Sequence, residues 1–169
     1  MSDSLKNENK LLRQELKRCK DELYKKDKYY QQIIDSVGAH IYWKDSKGRM
    51  LGSNQSNLES TRFDRIEDVI GKTEDEISID KEFSDAIKAN DAKVLSNGKS
   101  MVFEETNKVG NKELVYLSTK SCLRDDEDEI IGLVGVSVDI TDFKKLHKQV
   151  EEQNNKLNVL YKNHAEVFP

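Results

Sequence analysis

The sequence has little of what would place a protein in a membrane or in an oxidising compartment. It contains no run of about 18 apolar residues, so no segment is predicted to span a bilayer. The N-terminus is polar and does not have the pattern of a signal peptide. The only two cysteines, Cys19 and Cys122, lie far apart without partner spacing. This favours two reduced cysteines in a cytoplasmic chain over a redox switch.

Motifs for phosphate binding, zinc binding and nucleophilic catalysis are also missing. The sequence has no GxxxxGK, GxGxxG, HExxH, CxxC or GxSxG. We therefore predict no catalytic residue and no metal site, and we expect that this chain is not an enzyme. The acidic run at residues 125–128 lacks the spacing of a calcium loop and predicts a solvated hairpin loop.

Charge is abundant where aromatic residues are few: 36% of the residues are charged and 7% are aromatic. The excess of charge lies mostly at the two ends, which indicates solvated helices on either side of a compact middle. The net charge of −4 gives no reason to expect a nucleic acid or an anionic membrane. We predict neither as a partner.

The two ends are predicted to be helices that pair with a second copy of the chain. Residues 4–36 contain no Pro or Gly, and apolar residues recur there at heptad spacing, as they do again at residues 142–164. Such narrow stripes are typical of a two-stranded coiled coil, and Asn9 in the seam favours a parallel register. A lone helix docked on the domain is the alternative for the first segment. The predicted homodimer seam comprises Leu5, Leu12, Leu16, Leu23, Tyr30, Ile33, Leu146, Val150, Leu157 and Leu160.

The middle of the chain shows an order of elements typical of the α+β class. Two strands meet at a turn around Gly48 and are followed by short helical pieces at residues 54–61 and 65–70. A longer helix at residues 81–96, capped by Asp80, precedes three more strands. This order predicts an antiparallel sheet with its helices on one face. We place the segment bounds at 1–36, 37–141 and 142–169.

The strand predicted at residues 129–141 organises the rest. Both of its alternating rows are largely apolar, so both of its faces are expected to be covered. Asp139 ends the strand, Thr141 is predicted to N-cap the helix that follows, and Asp142 places a negative charge in the first turn. A movement of this strand would pass directly to that helix.

Together, these segments closely resemble a PAS domain over about residues 27–145. The matching stretches are Ile-Tyr-Trp-Lys-Asp at 41–45 with Gly48 and Asn54, Val-Ile-Gly-Lys-Thr at 69–73, Asn-Asp at 90–91, Phe-Glu-Glu at 103–105, and residues 131–141. They look most like PAS domains of cytoplasmic bacterial sensor histidine kinases. The resemblance implies a PAS fold with a five-stranded antiparallel sheet, a pocket between the sheet and the long helix, and homodimers built through flanking helices.

The departures from the family bear on cofactors. PAS domains that bind flavin covalently carry an Asn-Cys-Arg-Phe-type motif at the start of the long helix, where this chain has Ser-Ile-Asp-Lys-Glu-Phe at 78–83. PAS haem sensors commonly use a His on that helix, and this helix has none. We predict no cofactor and leave open a small polar ligand.

The resemblance also implies which side chains face the long helix. These candidate ligand-binding residues are Tyr42, Lys44, Asn90, Glu105, Tyr116, Ser118, Lys120 and Ser137. Buried polar groups need partners, so one interpretation is that they satisfy each other, as in a Lys44–Glu105 pair. The other is a small polar or anionic ligand held by the lysines and hydroxyls. The opposite sheet face, which includes Trp43 and Leu117, would need a cover from the N-terminal helix or from a partner subunit.

The predicted function is a dimeric sensory input module of a two-component histidine kinase. Asp139 and Thr141 are predicted to transmit the signal to the C-terminal helix, and a downstream kinase or other output domain is the expected partner. A ligand-free dimerisation adaptor is the alternative. His164 is a weak phosphoacceptor candidate, because the acidic residue that follows it is displaced by one position and the Arg-Thr of the kinase motif is missing.

Overall fold

The structure, a computed structural model, describes residues 3–109 and 112–167, with side chains at 5–108 and 112–161. The chain divides into two compact units after Gly38. The elements in chain order are α1 (Asp3–Asp35), β1 (His40–Asp45), β2 (Met50–Ser53), α2 (Gln55–Glu59), a 3₁₀ turn (Ile66–Asp68), α3 (Glu74–Ile77), α4 (Lys81–Asn97), β3 (Met101–Val109), β4 (Lys112–Arg124), β5 (Ile130–Asp139) and α5 (Thr141–Val167).

The first unit consists of α1, a helix of 33 residues without interruption. The absence of Pro and Gly from this stretch explains its length. Its seam residues are exposed in the single chain, with Leu16 at 56% and Leu23 at 59% of their full exposure. Asn9 donates a hydrogen bond to the Leu5 carbonyl of the same helix, at 3.0 Å. Pairing through this seam stays a prediction.

The second unit is built on a five-stranded antiparallel sheet in the order β2-β1-β5-β4-β3. The predicted fold is confirmed, and the strand with two apolar rows, β5, lies at the centre of the sheet. It pairs with β1 on one side and β4 on the other, so that Ser137 lies opposite His40 and Asp139 lies opposite Tyr116. The first and the last strand of the second unit are therefore neighbours in the sheet.

The inner face of the sheet carries α4, which contacts β3, β4 and β5. Asp80 N-caps this helix by accepting a hydrogen bond from the Phe83 amide at 3.1 Å. Gly98 ends it in the left-handed conformation, with φ of 63°. The apolar core lies between the sheet and the short helices and comprises Tyr42, Met50, Leu58, Val69, Ile77 and Leu133.

The outer face of the sheet is apolar and partly open. Val102, Leu117 and Val138 are each more than 40% exposed. Trp43 lies flat on β2, where a Cβ at Gly52 would clash with its indole ring. The predicted cover for this face, from α1 or from a partner subunit, stays a prediction.

Three local predictions need correction. The helix expected at residues 65–70 is only a 3₁₀ turn, and α3 was not predicted. Thr141 does not cap α5 from outside, since it is the first helical residue and its hydroxyl accepts a hydrogen bond from the Val115 amide at 2.9 Å. The sequence also predicts a turn at Gly110 and a helix stop at Pro169; both positions lie outside the described residues, as does the His164 side chain. None of the helices in the described part of the chain is both long and apolar enough to cross a membrane.

Candidate ligand-binding site

A cavity of about 510 Å³ lies against the inner face of the sheet and the short helices. This volume falls within the range of small-molecule sites, roughly 300–1,000 Å³. Its walls combine apolar and polar side chains from all five strands and from α2, α3 and α4. They include His40, Tyr42, Met50, Glu74, Ile77, Phe83, Ile87, Glu105, Tyr116 and Ser137.

Beside the cavity lies a buried ion network of two lysines and three carboxylates. Lys44 Nζ lies 2.9 Å from Glu74 Oε2 and 2.8 Å from Asp91 Oδ2. Lys120 Nζ lies 2.7 Å from Asp91 Oδ1 and 2.8 Å from Glu105 Oε1. Asp91 therefore bridges the two lysines, one with each oxygen.

The periodicity of the elements explains why these groups meet. Lys44 lies on the inner row of β1 and Lys120 on the inner row of β4, both rows pointing towards α4. The buried face of α4 comprises Ser84, Ile87, Asp91 and Val94, at helical spacing. A lysine as deeply buried as Lys120, at 0% exposure, is stable only when its charge is paired.

Burial and the neighbouring charges shift the pKa of Lys44 and of the two tyrosines that line the cavity. Burial alone would lower the pKa of Lys44, but Glu74 and Asp91 outweigh it and raise that pKa well above its usual range. Burial raises the pKa of the Tyr42 phenol; Lys44 opposes this shift, and the nearby carboxylates add to it. Burial, with a smaller contribution from Asp139, also raises the pKa of Tyr116. Both phenols are therefore protonated at neutral pH.

The cavity side of the network is formed by acceptors. Glu74 and Glu105 line the cavity, whereas Lys44 and Lys120 do not. Asn90 donates to Glu105 Oε1 at 3.0 Å, the same oxygen that faces Lys120. From the described residues, no hydrogen bond reaches Glu74 Oε1, Glu105 Oε2 or either of the two phenol hydroxyls that line the cavity.

His40 adds a neutral imidazole to the wall. Its ring lies 5.3 Å from the ring of Tyr116, centroid to centroid. Burial lowers its pKa, and Asp139 opposes this shift. The Tyr42 ring lies directly against the backbone of β5, since a Cβ at Gly135 would clash with it.

A second polar group joins the sheet to α5. Asp139 Oδ1 accepts a hydrogen bond from the Thr141 amide at 2.8 Å, and the hydrogen bonds from Thr141 lower the pKa of Asp139. The Ile140 amide donates to the Val115 carbonyl at 2.8 Å. One turn into α5, Lys144 Nζ lies 2.6 Å from Glu104 Oε2 on β3. The start of α5 is therefore tied to β3, β4 and β5.

The structure brings the eight candidate residues together but gives them different places. Four of them line the cavity: Tyr42, Glu105, Tyr116 and Ser137. Ser118 bonds to Ser137, hydroxyl to hydroxyl, at 2.8 Å. The predicted Lys44–Glu105 pair is wrong, because Lys44 pairs with Glu74 and Asp91 while Glu105 pairs with Lys120. Neither buried lysine lines the cavity, so an anion held by them does not fit this geometry.

The sequence analysis did not include three residues of the candidate site: His40 and Glu74, which line the cavity, and Asp91, which bridges the two lysines. The signal for Asp91 is its place four residues after Ile87 and three before Val94, which puts it on the buried face of α4. Glu74 lies on a helix of four residues, too short to show a period. His40 lies at the start of β1, where the alternation of the strand gives its direction once Tyr42 is known to face inwards.

The matched family is the one described as PAS fold, and its model covers residues 34–145 of this chain. More than half of the chain is matched, so the chain belongs to the PAS fold family. With the observed cavity and sheet, this makes it a PAS sensory domain.

A curated relative is a good deal longer than this chain. A diguanylate cyclase from Vibrio cholerae serotype O1 is 30% identical over 129 residues, which cover 75% of this chain and 40% of that protein. This chain therefore spans less than half of the length of that relative.

Three solved structures show the same fold. A VqmA–ligand–DNA complex from Vibrio cholerae has a TM-score of 0.61 at 23% identity, covering 66% of this chain and 50% of that one. The phage VqmA–DPO complex has a TM-score of 0.59 at 20% identity, covering 79% and 61%. The PAS domain of BvgS from Bordetella pertussis has a TM-score of 0.55 at 21% identity, covering 79% and 98%.

These neighbours overturn one prediction. The absence of a nucleic-acid partner was inferred from the net charge, yet VqmA, a neighbour in fold, has been solved in a complex with DNA. A PAS fold of this kind therefore occurs in proteins that bind DNA, and a net charge of −4 is not a ground for excluding it.

Proposed function

We propose that this chain is a dimeric PAS input module that binds a small molecule between the sheet and α4 and passes its state to α5. One observation carries this proposal. The cavity of about 510 Å³ is lined by buried carboxylate and phenol groups whose hydrogen-bonding capacity the described residues do not use fully. These oxygens open onto the cavity and are not enclosed in packed protein, so their partner is whatever fills the cavity, and we propose that this is a ligand.

The proposed route of the signal is short. Tyr116 and Ser137 line the cavity, and Asp139 lies opposite Tyr116 in the sheet and two residues beyond Ser137 on β5. A ligand that moves either side chain would act on the strand end that holds Thr141. Because the first turn of α5 is also tied to Glu104, a change in the sheet would alter the direction or the stability of that helix.

For the output domain we propose a diguanylate cyclase ahead of the histidine kinase that the resemblance first suggested. The relative from Vibrio cholerae supports this choice, since it aligns with three quarters of this chain and is more than twice as long as the aligned part. This chain lacks the common catalytic motifs, so we propose that it has no enzymatic activity of its own. We also propose a cytoplasmic location.

A ligand-free dimerisation adaptor is the second candidate. The observation that favours it is the ion network, in which both lysines are fully paired within the chain. In that case the cavity would hold only water.

The test is to recover the small molecule. The protein is purified from its native host, denatured, and the released molecules are identified by mass spectrometry. Ile87→Trp would fill the cavity from α4, and Ala89→Trp on the exposed face of the same helix is the matched control. The proposal requires a molecule that is released from the unaltered chain and the control but not from the filled variant. Equal release from all three, or none from any, would contradict it.

The absorption spectrum of the same preparation tests the proposal that no chromophore is bound. We expect a colourless protein, because the flavin-linking Cys and the helix His of haem sensors are absent from the sequence. A haem Soret band or a flavin band in the blue would contradict this.

A further inference from the structure

We propose that the ligand of this cavity is a small organic cation, with one amine or guanidine group attached to an apolar or aromatic body. The proposal rests on the proposed function, because it names the chemical class of ligand for the same cavity. It follows from the sign, the position and the surroundings of the charges that line the cavity.

The charges of the buried ion network do not balance. The buried ion network has three carboxylates, on Glu74, Asp91 and Glu105, and two ammonium groups, on Lys44 and Lys120. It therefore carries one negative charge in excess. All five residues are at least nine-tenths buried. An uncompensated charge in such a place is costly, so a positive charge is missing from the network.

The missing positive charge belongs on the cavity side of the network. The two glutamates line the cavity, and neither of the two lysines does. Glu74 Oε1 and Glu105 Oε2 receive no hydrogen bond from the described residues. The excess negative charge thus faces the cavity, where two acceptor oxygens are available to a donor.

The other charged residues around the cavity do not supply the missing charge. Arg62 is exposed and donates to the Glu76 carbonyl at 2.7 Å. Lys108 is also exposed, and its Nζ lies 3.9 Å from Glu82 Oε2. Asp80, the third, adds a carboxylate and is used to cap α4. The two basic residues therefore belong to the rim, and the interior of the cavity stays acidic.

The rest of the cavity wall also suits an organic cation. The rings of Tyr42, Phe83 and Tyr116 line the cavity, and the Lys44 ammonium already lies 5.1 Å from the centre of the Tyr42 ring. Aromatic faces attract a cation. The two phenol oxygens accept hydrogen bonds as well as donate them. An anion would instead meet two carboxylates, and Met50, Ile77 and Ile87 offer an apolar surface for the body of the ligand.

The experiment compares three probes of the same shape: 2-phenylethylamine, 2-phenylethanol and phenylacetate. Binding to the full unaltered chain is measured by isothermal titration calorimetry. We expect the amine to bind at least about tenfold more tightly than the alcohol, as for a hydrogen bond to a charged group, and the acid to bind most weakly. This comparison does not require any variant to fold.

Variants then locate the contact. Glu105→Gln should weaken binding of the amine by about tenfold and change binding of the alcohol by less than about twofold. Glu82→Gln removes an exposed carboxylate from α4 and should change neither. Tyr116→Phe keeps the ring and removes only an unpaired hydroxyl, and it should also weaken binding of the amine. This variant supplies the test if Glu105→Gln does not fold.

The outcomes separate this inference from the proposed function. Phenylacetate or the alcohol binding as tightly as the amine, or a ligand recovered from the native host without a basic group, would overturn the inference and leave the sensory site intact. If no probe binds and no molecule is released from the natively purified chain, both are wrong.

Discussion

Asp91 is the residue on which the polar interior of this PAS domain depends. Its two oxygens face two different lysines, at 2.8 and 2.7 Å, and these lysines come from β1 and β4. One side chain of α4 thus holds the helix to two strands that are not neighbours in the sheet. The arrangement fixes the distance between α4 and the sheet, and with it the size of the cavity.

The first prediction concerns the stability that this residue supplies. Asp91→Asn removes the carboxylate that both lysines share and leaves each lysine with a single glutamate partner. Because a hydrogen bond to a charged group is worth about 1.5–3 kcal/mol, we expect the free energy of unfolding to fall by about that amount. Urea unfolding followed by circular dichroism measures the loss. Asp85→Asn on the exposed side of α4, where Asp85 pairs with Lys88, should leave the midpoint nearly unchanged. Equal effects of the two substitutions would contradict the bridging role of Asp91.

The second prediction uses the titration of His40. Its pKa is lower in the folded state, mainly through burial, so the unfolded chain binds a proton more readily. The stability that the neutral imidazole contributes is complete above its ordinary pKa, about 6.5, and is lost as the pH falls below that value through the lowered pKa. His40→Gln should flatten this part of the stability profile, measured by urea unfolding from mildly alkaline to mildly acidic pH. An unchanged slope in His40→Gln would refute the assignment.

For single residues, the sequence predicted which face of the sheet a side chain occupies but not which residue it pairs with. The resemblance to PAS domains placed Tyr42, Lys44 and Lys120 on the inner face, and strand alternation is consistent with that set because side chains alternate between the faces of a strand. It did not pair them correctly, since a pairing depends on which turn of α4 and which short helix lie above each strand. The carboxylate of Glu74 reaches Lys44 from a segment whose position is set by tertiary packing alone.

Among the elements, the junction of β5 and α5 is the one through which a signal would leave. Asp139 accepts a hydrogen bond from the Thr141 amide, and the Thr141 hydroxyl accepts one from the Val115 amide. These two bonds join the end of the central strand, the neighbouring strand and the first residue of the helix. No large apolar side chain takes part in them, so they can be changed with little effect on the core.

The third prediction tests this junction. Asp139→Ala should lower the free energy of unfolding by about 1–2 kcal/mol, as for loss of a helix cap. Hydrogen exchange should become faster at the amides of residues 143–150 and remain slow at residues 131–138. Asp142 lies in the same turn, but its carboxylate pairs with Lys145 and takes no part in the junction. Exchange at residues 143–150 should therefore be slower in Asp142→Ala than in Asp139→Ala.

Two other patterns of hydrogen exchange would contradict this prediction. If residues 131–138 and 143–150 lose protection together, Asp139 is a part of the fold rather than a joint. If neither segment changes, the proposed route through Asp139 is wrong.

The long elements were predictable from sequence and the short ones were not. α1, α4 and β5 each contain enough residues for a period to show, and Asp80 and Gly98 mark the ends of α4. α3 has four residues, and its stability comes from a capping box between Thr73 and Glu76 and from the contact of Glu74 with Lys44. A helix held mainly by tertiary contacts leaves little trace in a local pattern.

The whole molecule presents apolar stripes that a single chain leaves open. Leu5, Leu12, Leu16 and Leu23 on α1 are all at least half exposed, as are Leu146 and Leu160 on α5, with Leu157 only slightly less so. Residues in such a stripe are usually covered by another copy of the chain when they recur at heptad spacing. The homodimer proposed for signalling would cover both.

The fourth prediction is a parallel dimer through α1. Leu16→Asp with Leu23→Asp should give a monomer in light scattering at micromolar concentration, because burial of each leucine is worth about 1.5–3 kcal/mol. Gln14→Asp with Lys28→Asp, both off the seam, should remain dimeric. A monomer for the unaltered chain would refute the prediction.

The direction of the pair has its own test. Cys19 lies in the seam and is exposed in the single chain, so a parallel dimer brings the two copies of Cys19 together. With Cys122→Ser present to remove the other thiol, mild oxidation should link the two chains covalently. Failure to form this link in a chain shown to be dimeric would favour the antiparallel arrangement.

The pairing of β1 with β5 also has a consequence for how the chain folds as it is made. β1 leaves the ribosome early, yet its central neighbour, β5, contains Ser137, which pairs with His40 from the opposite end of the core. At the usual rate of translation, roughly 5–20 residues per second, the first strand waits about 5–20 s for that partner. During this interval β1 has only β2 beside it, and its other edge is unpaired. The nascent domain is thus most exposed to mispairing, and most in need of chaperones, just before its central strand appears.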